Sequence, residues 1–320
     1  MKKIFLIYLL LNLNQLTAQV TDSVSKSAVF FQQFNKGGYA SLIFNQISCL
    51  NWAKGGENTV SATGIVSLFA NLKKDKFAWD NTLDLKYGLQ NSEEFGLRTN
   101  QDVIDISSKF GFKALERFYY TGLLSFKTQF APGYNYPNNS IVISRFFAPA
   151  YLITSIGMDF KPNEEFSLYI SPMTGKFIIV NDNEIADIGT YTGEPAVKDS
   201  LGKIIKNGQR FKSDFGVFLK VAYKVKLMEN IDLSSKLEIF NNYTDKNIKN
   251  RSNYDIDSEI TVVMKVNELI SANLFLHIIY DHDTKVPLYE YVNHVKTQIG
   301  SGPRLQMKEV IGIGLSYYFK

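Results

Sequence analysis

The sequence predicts an all-β protein, a transmembrane antiparallel up-and-down β-barrel of about 12 strands. Three observations carry this. Long segments alternate apolar and polar residues with period two, short and long connections follow one another in turn, and an export leader precedes a chain with no later apolar run of helix-spanning length. In a bilayer every backbone N–H and C=O needs an internal partner, so helices and closed barrels are the only spanning structures. With helices excluded, a barrel remains.

The leader comes first. Residues 1–18 open on Lys2 and Lys3, run apolar from Ile4 to Leu11 and end in Leu16-Thr17-Ala18. That is the layout of a secretory signal peptide, although Leu16 is larger than the small residue usual near the cleavage site. Residues 19–38 then read as a periplasmic lead, and residues 39–320 as a barrel exported to the cell outer membrane.

Strands are expected at 39–50, 59–72, 77–89, 102–113, 118–130, 148–160, 166–180, 211–227, 231–243, 254–266, 269–280 and 306–319. The eighth shows the pattern best. Phe211, Phe215, Val217, Leu219, Val221, Tyr223, Val225 and Leu227 share one face, with Lys212, Asp214, Lys220, Lys224 and Lys226 on the other. In the tenth, Ile256, Ile260, Val262, Met264 and Val266 oppose Asp255, Asp257, Glu259 and Lys265; in the third, Asn81 interrupts the apolar face. Soluble-domain strands run about 5–6 residues, whereas about 9–11 are needed to cross hydrocarbon.

Tight connections are expected at 73–75, 115–116, 161–164, 228–230 and 267–268, and long ones at 51–58, 90–101, 131–147, 181–210, 244–253 and 281–305. Short turns on one rim and long loops on the other place both termini in the periplasm and require an even strand number. A soluble β-sandwich is also secreted and alternating. Against it stand the strand lengths, the short–long rhythm, and Tyr119, Tyr120, Tyr317, Tyr318 and Phe319, which suit an aromatic girdle.

Composition narrows the function classes. With 45% hydrophobic and 14% aromatic residues in 320, disorder is excluded. The 35 basic and 31 acidic residues are interspersed, leaving a net charge of +4 and no basic stripe for nucleic acid. Cys49 is the only cysteine, so neither a disulfide framework nor a cysteine metal site can form.

Several strings carry a family resemblance: Asn51-Trp52-Ala53-Lys54-Gly55-Gly56-Glu57-Asn58, Trp79-Asp80-Asn81 with Tyr87-Gly88, the run from Thr128 to Pro137, the stretch from Ser171 to Phe177, and Gly302-Pro303-Arg304-Leu305-Gln306. Through them the chain resembles the family catalogued as domain of unknown function 3078, outer-membrane proteins of Gram-negative bacteria. The resemblance implies barrel and location; the family has no assigned activity and lends no catalytic residue. Expected partners are outer-membrane lipid and lipopolysaccharide, and the barrel assembly machinery, which reads a terminal aromatic residue; here Lys320 follows Phe319.

If apolar residues face lipid, the lumen-lining candidates are Asp80, Asp84, Lys86, Asp105, Lys109, Lys127, Lys220, Lys224, Lys236, Glu238, Asp257, Glu259 and His277. Lysines dominate the eighth strand and acids the tenth, with Lys236 and Glu238 between them, so a ladder of ion pairs from the eighth to the tenth is expected. Charges in a narrow lumen must be paired or hydrated: pairing closes the lumen, hydration leaves a polar pathway.

No enzyme motif and no cofactor site is expected. Of the three histidines, His277, His282 and His294, only His277 could join an inward acid such as Asp105 and a serine such as Ser107 in a hydrolytic triad. In Asp281-His282-Asp283 strand alternation turns the histidine away from both carboxylates, which disfavours a shared metal. Gly55-Gly56 lacks the spacing of a phosphate loop. Tyr134, Tyr136, Phe146 and Phe147 on one long loop could stack on a ligand or pack among themselves, and the 181–210 loop is long enough to fold inward. The leading functional expectation is a narrow pore or transport channel for a small solute. Its alternatives are a sealed barrel with a structural or surface-binding role and an outer-membrane hydrolase. An open lumen would favour the first, ion pairs across it the second, and a serine, His277 and a carboxylate within mutual reach the third.

Overall fold

Twelve strands hydrogen-bond edge to edge into a closed ring in the computed structural model, which describes residues 34–48, 58–93, 96–134, 140–284, 286–292 and 295–319. The barrel strands are β1 (Asn35–Ile47), β2 (Thr59–Lys74), β3 (Phe77–Ser92), β4 (Gly96–Lys113), β5 (Phe118–Thr128), β8 (Ala150–Phe160), β9 (Phe166–Ile179), β12 (Phe211–Met228), β13 (Ile231–Asn242), β14 (Asp255–Lys265), β15 (Ile270–Tyr280) and β18 (Gln306–Phe319). Between them, loop hairpins form from β6 (Gly133–Tyr134) with β7 (Val142–Ser144), β10 (Val197–Lys198) with β11 (Ile204–Lys206), and β16 (Val286–Val292) with β17 (Val295–Gly302). Each barrel strand lies antiparallel to its neighbours in the sequence. The ring closes where β1 meets β18, from Gly38 opposite Phe319 to Phe44 opposite Ile313, so no barrel edge is left to pair with another chain.

The twelve expected segments are these twelve strands, apart from their ends. Two expected loops are mostly strand: residues 281–305, which hold the β16–β17 hairpin, and residues 90–101, because β3 and β4 stay paired from Gln90 opposite Arg98 to Ser92 opposite Gly96. Polar residues there obscure a hairpin that continues past the apolar band. Gly96, at φ +64, takes the left-handed conformation that the turn into β4 needs. The leader, Cys49, the Trp52 loop, Tyr136, His294 and Lys320 lie outside the described residues.

The outward face is apolar around the ring. Leu42 and Phe44 of β1, Phe110 and Phe112 of β4, Phe211 and Phe215 of β12, and Ile311, Ile313 and Leu315 of β18 are all exposed. A continuous belt of this kind is far larger than the apolar patches soluble proteins tolerate; it is a lipid-facing surface. Asn81, which breaks the belt, is satisfied locally. Trp79 Nε1 donates to Ser108 Oγ, which donates to Asn81 Oδ1, and Asn81 Nδ2 donates to the Ala70 carbonyl. Two girdle assignments are corrected by the period of the strand. Neighbouring residues point to opposite faces, so Tyr120 and Tyr317 face lipid while Tyr119 is buried inside and Tyr318 turns in under Lys265, 3.9 Å from its ring centre.

Candidate functional site

Inward positions are where charge collects, because a polar side chain facing hydrocarbon costs several kcal/mol, of order 2–4 for a lysine. Around mid-height the charges pair across the barrel. Lys86 Nζ of β3 meets Glu259 of β14 at 2.8 Å, Lys127 of β5 meets Asp257 of β14 at 3.0 Å, Lys176 of β9 meets Asp255 of β14 at 2.8 Å, and Lys236 of β13 meets Asp105 of β4 at 2.7 Å. Lys220 is ion-paired with Glu238 on the adjacent β13, Nζ to Oε1 2.9 Å. The acids of the tenth barrel strand are thus neutralised from β3, β5 and β9 and not from β12, as the ladder expected from sequence would have it. In a ring, side chains converge on the axis, so strands on facing walls meet more readily than strands two apart on one wall. Lys224 has no ion pair among the described residues and lies 5.9 Å above the Phe69 ring, and Asp84 accepts from Ser67 at 2.5 Å.

Towards the short-turn rim lies a second network. Asp159, whose side chain is 0% exposed, is bonded by Lys109 at 2.7 Å and lies 3.5 Å from Lys161, which also bonds Asp80. Ser167 Oγ donates to Asp159 and accepts from Lys109, each at 2.7 Å. Beside these charges one side of the lumen is filled by an apolar cluster of Leu123, Tyr169, Phe218 and Phe240. The Tyr169 hydroxyl bonds Ser155 Oγ at 2.8 Å, so the cluster buries no unsatisfied phenol.

A cavity of about 600 Å³ lies in the short-turn half. Lys86, Glu259 and Lys236 stand at its inner end; Lys226, Asp232, Lys265, Tyr318 and Phe319 stand at the rim.

At the other rim, the 181–210 loop begins with a short helix, α1 (Asn183–Ile188), whose Ile185 and Ala186 pack on Ala148, Ile178 and Val180, with the inward Tyr151 against them. Asp182 caps the helix: its carboxylate accepts from Ile185 N at 3.2 Å and from Arg145 Nη1 at 2.5 Å. Burial pushes the Asp182 carboxyl up, but the Ile185 N–H and the Arg145 guanidinium outweigh it and hold the group below its ordinary 3.8. A depressed carboxyl stabilises the loop above that value and loses its contribution as pH falls through the folded value. The loop is therefore expected to resist pepsin at about pH 4.5 and to become cleavable only at lower pH, with Asp182→Asn already cleavable at about pH 4.5. Equal cleavage of the two proteins would show that the Asp182 charge contributes nothing to holding the loop, since asparagine keeps an oxygen for the Ile185 N–H.

The imagined triad does not assemble. His277 Nε2 lies 2.8 Å from Asp257 and 3.9 Å from Glu259, while Asp105 bonds Lys236 and Ser107 accepts from Lys220 at 3.4 Å. Asp257, Glu259 and His277 hold ligand atoms within 4.8 Å of one another, but Lys127 and Lys86 already neutralise both carboxylates, so the set does not fit a cation. Asp281 and Asp283 are spent on Thr284 and Lys212. Phe147 packs on Phe126, ring centres 5.2 Å apart, which leaves Phe146 as an exposed aromatic of that loop.

Sequence reading missed Asp159, Lys161, Lys176, Tyr169, Phe218 and Phe240. The signal was present for most: Phe218 is in phase with Lys220 and Lys224, and Phe240 with Lys236 and Glu238, so both point inward despite being apolar.

With the geometry in place, the chain can be set beside known proteins. The family described as protein of unknown function (DUF3078) matches residues 44–134. The DUF3078 stretch runs from β1 to the end of β6 and contains Asp80, Asp84, Lys86, Asp105, Lys109 and Lys127, one side of the ion-pair system. The strings at Asn51, Trp79 and Tyr87 lie within it, the run from Thr128 to Pro137 extends past its end, and those at Ser171 and Gly302 lie beyond it. No curated protein matches the chain. Similar solved structures include an outer membrane channel from Pseudomonas putida F1, 12% identical over 88% of this chain and 95% of that one, TM-score 0.36. The outer membrane phospholipase A of Escherichia coli is 10% identical over 88% and 97%, TM-score 0.33. The translocator domain of the autotransporter NalP from Neisseria meningitidis is 9% identical over 92% and 95%, TM-score 0.29. A channel, a phospholipase and a translocator share no activity, and none is taken from them.

Proposed function

We propose that the chain is an outer-membrane β-barrel sealed at mid-height, which works through binding surfaces at its two ends. One observation carries the reading: the Lys86–Glu259, Lys127–Asp257 and Lys236–Asp105 pairs cross the lumen beside the apolar cluster around Phe218. A solute would have to break buried ion pairs to pass, and stripping one partner from such a pair costs about 3–5 kcal/mol. The leader at residues 1–18 supplies export, and the short-turn rim faces the periplasm with the folded loops outside.

The narrow-pore reading draws support from the cavity of about 600 Å³, which would be one half of a pathway. Against a hydrolase stands His277, engaged with Asp257 instead of a nucleophile. Liposome swelling separates sealed from open. Vesicles carrying the purified barrel are expected to swell in small sugars no faster than empty ones, and protein-dependent swelling would return the assignment to a pore.

A further inference from the structure

We infer that the cavity at the short-turn end is a binding site for a small oxyanion carrying two or more negative charges on phosphate or carboxylate groups, held by Lys224 and Lys226. The inference deepens the sealed-barrel reading and rests on it only in taking the cavity as blind.

Three features point to an anion. The cavity volume, about 600 Å³, falls in the range of small-molecule sites, about 300–1,000 Å³. Its charge is lopsided. Lys86, Lys220, Lys236 and Lys265 are each neutralised by a carboxylate, whereas Lys224 and Lys226 have no ion pair among the described residues. Asp84, which accepts from Ser67 at 2.5 Å, is a carboxylate of the lining without an ion pair among the described residues, so two unpaired lysines face one unpaired acid and the excess charge is positive. Alternation puts the two lysines on one face of β12, about 6–7 Å apart along the strand, a span that suits two anionic groups of one small molecule.

The surroundings strengthen the attraction. Low-dielectric walls focus the field of a charged cleft, and Phe69 and Val263 supply such walls while the mid-lumen pairs close the inner end. Lysines act as point charges on flexible stems with no fixed fork, so they recognise charge more than shape. The site therefore accepts phosphate or carboxylate and rejects neutral and cationic solutes.

The test is calorimetric titration of the full-length barrel, folded in detergent, with inorganic pyrophosphate and, separately, with citrate. Saturable one-to-one binding is expected, weakened at least tenfold in Lys224→Gln/Lys226→Gln and unchanged in Lys198→Gln/Lys203→Gln on the opposite rim. Binding of one probe alone identifies the oxyanion class and supports the site. Absence of binding by both, or equal binding in the Lys224/Lys226 variant, overturns it. If the double variant fails to fold, Lys226→Gln alone is read in the same way. Swelling measured on the same preparations keeps the two readings apart: a conducting barrel that binds contradicts only the seal, and a silent barrel that does not bind contradicts only the site.

Discussion

Asp159→Ala is expected to lower the free energy of unfolding by about 3–5 kcal/mol, the cost of leaving a buried charge without its partner. The side chain is fully enclosed and serves two lysines and a serine at once. Removing it leaves Lys109 and Lys161, whose side chains are only 11% and 18% exposed, without that carboxylate, and only Lys161 keeps a second acid, Asp80. Asp159→Asn retains an acceptor for Ser167 but not the charge, and is expected to fall between wild type and alanine. Urea unfolding in lipid vesicles, followed by the electrophoretic shift between folded and unfolded barrels, reads the difference. A contrast is Lys246→Ala, whose partner Glu194 sits on an exposed loop; there no measurable change is expected, since exposed pairs contribute little. Equal effects at both sites would mean that the lumen is wetter than its packing indicates.

The second large effect concerns the apolar cluster. Phe218 and Phe240 are 2% and 5% exposed, and Tyr169 packs edge-on to Phe218 with ring centres 6.4 Å apart. Phe218→Ala is expected to cost about 3–5 kcal/mol through lost burial and the void left behind. That void lies beside the ion pairs. In Phe218→Ala/Phe240→Ala the two sites share a cavity, so their costs are not expected to add. Water entering there would hydrate Lys220 and Glu238, and the double variant is expected to be the one in which the barrel begins to leak.

Much of this fold was legible because period-two alternation is a direct projection of which face meets lipid. The β12 segment shows it residue by residue, from exposed Phe211 and half-buried Lys212 to exposed Val217 and buried Phe218, before the pattern fades at the rim, where Lys224 and Lys226 are both exposed. Turn chemistry then placed the hairpins. The hairpin above Gln90 was illegible for the opposite reason: beyond the bilayer neither face is apolar, so paired strand and loop have the same composition. The short helix α1 was equally hidden, since six residues carry too little periodicity to register.

The site was legible at the level of facing and not of partners. Alternation puts Glu259 inward, but its pairing with Lys86, 173 residues away, depends on how the ring closes, and no local pattern encodes that. Inward aromatics were overlooked because an apolar residue among lysines reads as an irregularity. Phe218 instead packs with Leu123, Tyr169 and Phe240 inside the barrel.

Single-channel recording in a planar bilayer tests the seal most directly. The purified wild-type barrel is expected to give a silent trace at moderate voltage and ordinary salt, with steps appearing only in Phe218→Ala/Phe240→Ala. Steady conductance from the wild-type protein would contradict a sealed lumen.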